Sequence, residues 1–451
     1  MYGLAQPGEQ AEELPLPVDS FRIYPAPDDP TDPDGYWMLD RIVETVEAGG
    51  HKIVNLSLGP SAAVEEDQEP NLWTSTLDQL AWENDVVFVV AAGNHGEADP
   101  KLGLNRVEAP ADMANGVSVG AADKLSPQPK WSRTPYSSIG PGRQGSRIQP
   151  ICVQFGGTQG DQFPILKSDG SFGRSLGTSF ATPLVTHALA EVASQLPQPT
   201  PSALRAFVTH FAERHSQHKK RRDEVGYGRV PLSFDPTLAS SSNEAHVLYV
   251  DEIARDELLG YQVPVPARFR GRVQVRVTLA FMSPVEPTEP TEYTRSTIDV
   301  TFRPNENRYV FHPPKGSPGA IKDAVLDHTS AEAIDLLEKG WTQAGAPKAE
   351  GLGPAAFIPE HNLRDEGKWE TLRHARMNLA SGAADNPRIE LSYVARQLGA
   401  LEHGPAKLPF AVLISVIDQD ATGTLYPAVV DQFAALRPLI DLRAQAQVRS
   451  R

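Results

Sequence analysis

A single cysteine, Cys152, is all the thiol chemistry in this 451-residue chain. That excludes an internal disulfide framework and any multi-cysteine metal site. Basic charge is short as well: 42 Lys and Arg stand against 57 Asp and Glu, a net charge of −15. A protein that tracks phosphates carries the opposite footprint, so no nucleic-acid partner is expected. Long apolar runs are missing too. The longest, Val86 to Ala92, falls far short of the roughly 20 residues that span a bilayer, so no membrane partner is expected. Met1 to Gln10 has neither a basic stretch nor an apolar one, so a secretory signal is not read there and a cytoplasmic location is the expectation.

What is present suits an ordered chain: 40% apolar and 22% charged residues, with length enough for two cores. The first half alternates strand and helix patterns. Phe21 to Pro25 reads as a short strand, followed by a loop whose Asp28, Asp29, Asp32 and Asp34 look solvated. Met38, Leu39, Ile42, Val43 and Val46 recur at helical spacing until Gly49-Gly50 ends the helix. A strand over Lys52 to Leu58 and a helix over Leu72 to Asn84 come next. Val86 to Ala92 is apolar on both faces, as a strand inside a parallel sheet would be. Short strands at Val117 to Ala121 and Pro150 to Phe155 precede helices at Thr178 to Leu196 and Pro201 to Arg214. This is the pattern of a doubly wound, mostly parallel α/β sheet.

Composition changes at the basic tract His215 to Asp223 and the Ser-rich stretch Thr237 to Asn243. Period-2 runs then appear at Val247 to Val250, Arg272 to Phe281, Thr297 to Phe302, Arg388 to Val394 and Pro409 to Ile417, with a helical insert at Ser330 to Lys339. They predict an all-β, sandwich-like C-terminal domain. The expected division is residues 1–235, a linker over 236–245, and residues 246–451.

The chemistry concentrates in Leu176 to Pro183, L-G-T-S-F-A-T-P. Gly177 permits a tight turn, and Ser179 stands where a small-residue helix begins. Pro183 predicts that the helix starts just before Ser179, because proline belongs in a first turn. A hydroxyl there meets free backbone N–H groups and the positive end of the helix dipole, the surroundings an acyl-transfer nucleophile needs. A structural N-cap serine is the bland alternative for a bare G-T-S.

The full motif resembles the nucleophile segment of the subtilisin-like serine proteases. Ala91-Ala92-Gly93-Asn94, closing the buried strand, is similar to that family's oxyanion-hole segment, and Asn55-Leu56-Ser57-Leu58-Gly59 to its substrate-pairing edge. The likeness extends over about residues 20–232. It implies that Ser179 attacks a peptide carbonyl while the Asn94 amide and the Ser179 N–H hold the oxyanion. Ser57, Leu58 and Gly59 would pair with a polypeptide substrate, with Ala91, Ala92 and Gly93 forming a roomy, uncharged base for the first specificity pocket. No cofactor and no metal are implied.

The sequence departs from the family in its acid and base, for which neither motif is found. His51 opens a strand and His95 follows Asn94 in a loop. His187 lies eight residues beyond Ser179, about 12 Å along the same helix, out of reach of its hydroxyl. The resemblance therefore reads as a family member lacking its N-terminal Asp/His portion, with an exposed parallel sheet edge and poor folding in isolation. An upstream polypeptide would supply the Asp and His. Three functions stay open: an endopeptidase inactive as this chain alone, a non-catalytic peptide-binding pseudoprotease or half of a split enzyme, and a C-terminal docking domain. Trp341, Trp369, Asp418 and Asp420 show no convergent pattern, and Asp418-Gln419-Asp420 reads as a solvated hairpin loop rather than a calcium site.

Overall fold

The computed structural model describes residues 14–25, 32, 34–65, 67–167, 169–217, 220–255, 257–314, 316, 323–343, 367–381, 384–398, 401–402 and 405–436. Its centre is a parallel sheet in the order β1-β2-β3-β4, made of Ile53–Leu56 (β1), Val87–Ala91 (β2), Val117–Ala122 (β3) and Cys152–Phe155 (β4). Strand side chains alternate faces, and β2 shows the consequence. Val87 and Val89 pack with helices α3 (Thr178–Gln195) and α4 (Pro201–His210). Phe88 and Val90 pack on the other side with α1 (Tyr36–Gly49) and α2 (Leu72–Asn84). Both faces are covered, which is why the strand reads as a continuous apolar run.

The helix ends follow local chemistry. Asn71 caps α2 by accepting from the Trp73 N–H, and Thr200 caps α4 through the Ala203 N–H. Asp32, expected to be solvated, instead accepts from the Met38 N–H at 3.1 Å in the first turn of α1. Asp28 and Asp29 lie outside the described residues. Phe21 to Pro25 joins no ladder: Phe21 stands edge-on to the His51 ring at 5.4 Å and is half exposed, so alternation over five residues found no partner strand. A hairpin that the sequence pattern did not predict, Phe163–Leu166 (β5) with Phe172–Ser175 (β6), precedes α3. Short helices α5 (Arg222–Val225) and α6 (Asp235–Leu238) close this half, and α5 takes up part of the basic tract.

The second half is antiparallel. β7 (Glu244–Ala254), β9 (Val273–Phe281), β14 (Leu372–Leu379) and β18 (Lys407–Asp418) form one sheet, ordered β14-β9-β18-β7. β8 (Leu258–Gln262), β10 (Ser296–Arg303) and β15 (Arg388–Ala395) form a second, ordered β10-β15-β8. Phe410, Val412, Ile414 and Val416 of β18 share a core with Ile298, Phe302, Ile389 and Leu391 of the second sheet, the expected sandwich. A small sheet of β11 (Arg308–His312), β12 (Ala324–Asp327) and β13 (Thr342–Gln343) sits beside α7 (Ala331–Glu338), the expected helical insert. Gln397–Leu398 (β16) pairs with Leu401–Glu402 (β17), and α8 (Leu425–Gln432) follows β18.

The other face of the first antiparallel sheet packs against the α/β half. Ala411 and Leu413 of β18, Ala280 of β9 and Leu372 of β14 belong to the same buried cluster as α3 and α4. One strand, β18, therefore feeds two cores through its two faces. The seam also carries buried polar groups. The Arg205 guanidinium donates to the carbonyls of Gly116, Phe281 and Ala114 and to Thr371 Oγ1. Asp78 of α2 accepts from the Ala114 and Asn115 N–H groups and from the Tyr293 hydroxyl at 2.7 Å. Burial pushes the Asp78 carboxyl up to about 6 against those hydrogen bonds, and it brings Arg205 down to about 10.

Candidate functional site

β1 and α3 are fastened side by side. Thr186 Oγ1 of α3 donates to Asn55 Oδ1 at 2.9 Å, and Asn55 Nδ2 donates to Ser57 Oγ at 3.2 Å. Two reciprocal bonds join the residues beyond: Ser57 Oγ donates to the Ser179 carbonyl at 3.2 Å, and Ser179 Oγ donates to the Ser57 carbonyl at 3.3 Å. The first of these has a cause in the sequence. α3 begins at Thr178, so Pro183 is its sixth residue and lies in the second turn, not the first. Proline has no N–H to give the carbonyl four residues earlier, which is that of Ser179. Ser57 supplies the missing donor.

Ser179 is the second residue of α3, within the turn whose N–H groups have no acceptor inside the helix. Asn94 stands opposite, just past the end of β2. Its Oδ1 accepts from the Thr178 N–H at 2.9 Å and from Thr178 Oγ1 at 3.1 Å. Asn94 is exposed, and its Nδ2 has no acceptor among the described residues. The sequence-predicted pair Ser179 and Asn94 thus meets at one helix N-terminus, through Thr178.

The turn carrying Asn94 is held from below by Glu108, a residue that no sequence motif singles out. Its Oε1 accepts from the Asn94 N–H at 3.0 Å and His95 Nδ1 at 2.7 Å, and Ser138 Oγ lies at 3.4 Å. Gly93 is required here on two counts: its φ is +105°, and a Cβ would stand 2.3 Å from Glu108 Oε1. The Gly93 carbonyl accepts from Ser138 N–H, and the Ala92 carbonyl from Glu108 N–H. Ala92 and Gly93 are buried and Ala91 half-buried, and the Glu108 carboxylate lies against Gly93. Leu58 is half-buried and Gly59 exposed; a Cβ on Gly59 would stand 2.5 Å from the Ala109 carbonyl oxygen. Glu108 carries no local signal; fourteen residues of chain separate it from Asn94, and only the bridge between them shows its role.

No imidazole or carboxylate hydrogen bonds to Ser179 Oγ among the described residues. His95 is paired to Glu108, His51 lies at hydrogen-bond distance (3.2 Å) from Asp19 Oδ2, and His187 projects from α3. Asp418 and Asp420 do not form an open oxygen cage. Asp418 accepts from the Asp420 and Thr422 N–H groups and Thr422 Oγ1, while Asp420 pairs with Arg272 at 2.7 Å. Among the described residues no cluster of three metal-ligating side chains is present. Cys152 is buried in β4, and burial pushes its thiol far up, the opposite of a reactive cysteine.

Residues 20–228 match the sequence model of the Subtilase family, Peptidase_S8. The chain is 28% identical over 312 residues to the uncharacterized protein y4bN of Sinorhizobium fredii, covering 55% of this chain and 70% of that protein. It is 29% identical over 190 residues to a subtilase cytotoxin polypeptide of Escherichia coli, covering 40% of this chain and 52% of that one. Among solved structures, the protease domain of PatA aligns at 25% identity and a TM-score of 0.34, covering 45% of this chain and 64% of that one. The epidermin leader peptide processing protease EpiP of Staphylococcus aureus aligns at 19% identity and a TM-score of 0.36, covering 47% and 55%. Residues 20–228, a little under half of the chain, thus match the subtilase family, a family of serine proteases.

Proposed function

We propose that this chain carries the nucleophile and oxyanion-binding half of a subtilase endopeptidase, acting through an acyl-enzyme on Ser179. The observation that carries this reading is the Thr178 clamp on Asn94 Oδ1, which leaves the Asn94 amide protons as donors beside the N-terminus that bears Ser179. In the reaction Ser179 Oγ attacks the peptide carbonyl carbon and loses its proton to a base. The carbonyl oxygen becomes an oxyanion held by Asn94 Nδ2 and the Ser179 N–H. Collapse expels the amine, which takes the proton from that base, and water then releases the acid product. Ser57, Leu58 and Gly59 hold the extended substrate, and Ala91, Ala92 and Gly93 floor its first side-chain pocket.

The imidazole and its carboxylate come from an upstream polypeptide that seats beside β1, the edge of the parallel sheet. Without it Ser179 Oγ rests on the Ser57 carbonyl and is not activated. That resting bond also favours a second reading, a peptide-binding pseudoprotease using the same edge.

A fluorophosphonate probe separates the two. Labelling of Ser179 that is weak in the chain alone and rises strongly when the upstream polypeptide is added supports the protease reading. Absent labelling in both, with a substrate-like peptide still bound, overturns it for the second.

A further inference from the structure

One chain of hydrogen bonds, buried at its centre and part-buried at its ends, crosses the seam between α4 and the antiparallel sheet, and no step of the peptidase chemistry uses it. His210, the last residue of α4, is fully buried. Its Nδ1 lies 2.8 Å from Thr278 Oγ1 of β9, and its Nε2 lies 2.6 Å from Ser415 Oγ of β18. Thr278 Oγ1 is also 2.6 Å from His374 Nδ1 of β14, and Ser415 Oγ is 2.6 Å from His246 Nδ1 of β7. At one end Arg376 Nε donates to His374 Nε2 at 3.1 Å.

That arginine sets the direction of every bond. A guanidinium only donates, so His374 Nε2 is an acceptor and its proton sits on Nδ1. His374 Nδ1–H then donates to Thr278, the Thr278 hydroxyl donates to His210 Nδ1, and His210 Nε2–H donates to Ser415. The Ser415 hydroxyl donates to His246 Nδ1, which leaves the His246 proton on Nε2. That nitrogen has no hydrogen-bond partner among the described residues; Glu244 Oε2 lies 3.8 Å away. All three imidazoles are neutral, and each acceptor is matched to one donor. An added proton on His374 Nε2 would face the Arg376 donor, and one on His210 Nδ1 or His246 Nδ1 would turn a hydroxyl proton out of its bond.

The charges around it oppose that proton as well. Arg276 of β9 is in register with Arg376 on one side and with Ser415 on the other. Arg214 follows α4 and is half-buried, its guanidinium weakened by burial and by Arg276. Phe211 stacks its edge on His210 and His246, and the Tyr227 ring stands 6.3 Å from His374. Glu244 is the one carboxylate facing the chain among these groups. Burial first, and then His374, His246 and the arginines, hold His210 well below the ordinary histidine range. Burial brings His246 down to about 4, with Glu244 opposing.

We propose that this relay is an acid-sensitive latch that locks the first antiparallel sheet onto α4 at neutral pH and releases it as the imidazoles take up protons. The sign follows from linkage. His210 and His246 bind protons more readily when the seam is open, so closure is at full strength above about pH 6.5 and weakens as pH falls toward their depressed values. Each histidine that titrates only in the open form lowers the closed-to-open ratio by at most about tenfold per pH unit in that window. Asp78 and Glu370, raised by burial to about 6 and about 7, act in the opposite sense on global stability. A local readout is therefore needed.

The test is amide hydrogen exchange at pH 7.5, 6.5 and 5.5, corrected for intrinsic rates, on the full chain, on H246N and on R376Q, with imidazole nitrogen NMR at pH 7.5. The expected tautomers are Nδ1–H for His374 and Nε2–H for His210 and His246. Between pH 6.5 and 5.5, protection of α4, β7, β9, β14 and β18 should fall up to about thirtyfold more than that of α1 and α2. H246N should lose about fivefold of that response. R376Q, which lets His374 take a proton in the closed form, should also blunt it. Cationic imidazoles at pH 7.5, uniform loss of protection across the molecule, or an acid response unchanged in both variants would overturn the latch.

Discussion

The N-terminus of α3 and the C-terminus of α4 use polar side chains in opposite ways. At the end of α4, His210 spends both ring nitrogens on hydroxyls, and nearby Arg205 reaches four acceptors, two of them across the seam. At the start of α3, Asn94 has its oxygen held and its amide protons left over, while Ser179 Oγ rests on a carbonyl. Buried polar groups are normally satisfied. His210 and Arg205 are thus wired into the buried seam, whereas the Asn94 amide is exposed beside a helix N-terminus, where the proposed chemistry would use it. The two helices pack on each other and on the same parallel sheet, so the difference lies in side-chain wiring and not in fold.

Ser179→Ala breaks the comparison most completely. It should abolish fluorophosphonate labelling in the complemented protein while leaving the thermal midpoint within a degree or two, since the residue is half-buried and makes one bond through its hydroxyl. Arg205→Met is the matching cut on the saturated side. It removes four buried hydrogen bonds, to the Gly116, Phe281 and Ala114 carbonyls and to Thr371 Oγ1, of which the last two keep their bond to each other, and urea denaturation should show a loss of about 3 kcal/mol. A loss below about 1 kcal/mol would mean that water reaches the seam.

Asn94→Ala sharpens the functional side. It should cost about 10²–10³ in the acylation rate, a figure borrowed from the equivalent donor in a subtilisin, with little loss of stability. Tyr293→Phe tests the seam more gently. It removes the hydroxyl from Asp78 and should cost about 1–2 kcal/mol. Because that bond lowers the Asp78 pKa, the carboxyl should titrate still higher than about 6 in the variant. A group raised in the folded state loses stability as pH climbs from the unfolded value near 4 through the folded one, so the variant should fall off further with rising pH. Ser57→Ala is the mildest. It leaves the Ser179 carbonyl without its donor and should cost about 0.5–1.5 kcal/mol, seen as faster exchange at the start of α3.

Much of the α/β half was legible because its signals are local. Leu72 to Asn84 was bounded to the residue by Asn71 before it and the turn at Asp85 after it. β2 announced itself as a strand apolar on both faces. β14 was hard to read for the opposite reason: in its sequence, Leu-Arg-His-Ala-Arg-Met-Asn-Leu, apolar alternation runs only through Ala375, Met377 and Leu379, after the polar Arg373 and His374. One of its faces is built for His210 and the arginines rather than for a hydrophobic core. Pro183 misled by its own rule. Its place in the second turn is tolerable because Ser57, 126 residues earlier, donates to the carbonyl it leaves unserved.

By itself the sequence determined the order of elements, the helix that presents Ser179, and the segments carrying Asn94 and Ser57, because caps, periodicity and short motifs act over a few residues. Only the tertiary structure decided that Glu108 braces the Asn94 turn, that β18 serves two cores, and that three histidines from α4, β7 and β14 share one directed chain of protons. Hydrogen bonds are satisfied by whatever the fold brings within about 3 Å, and that proximity is set by packing between segments that the chain holds far apart.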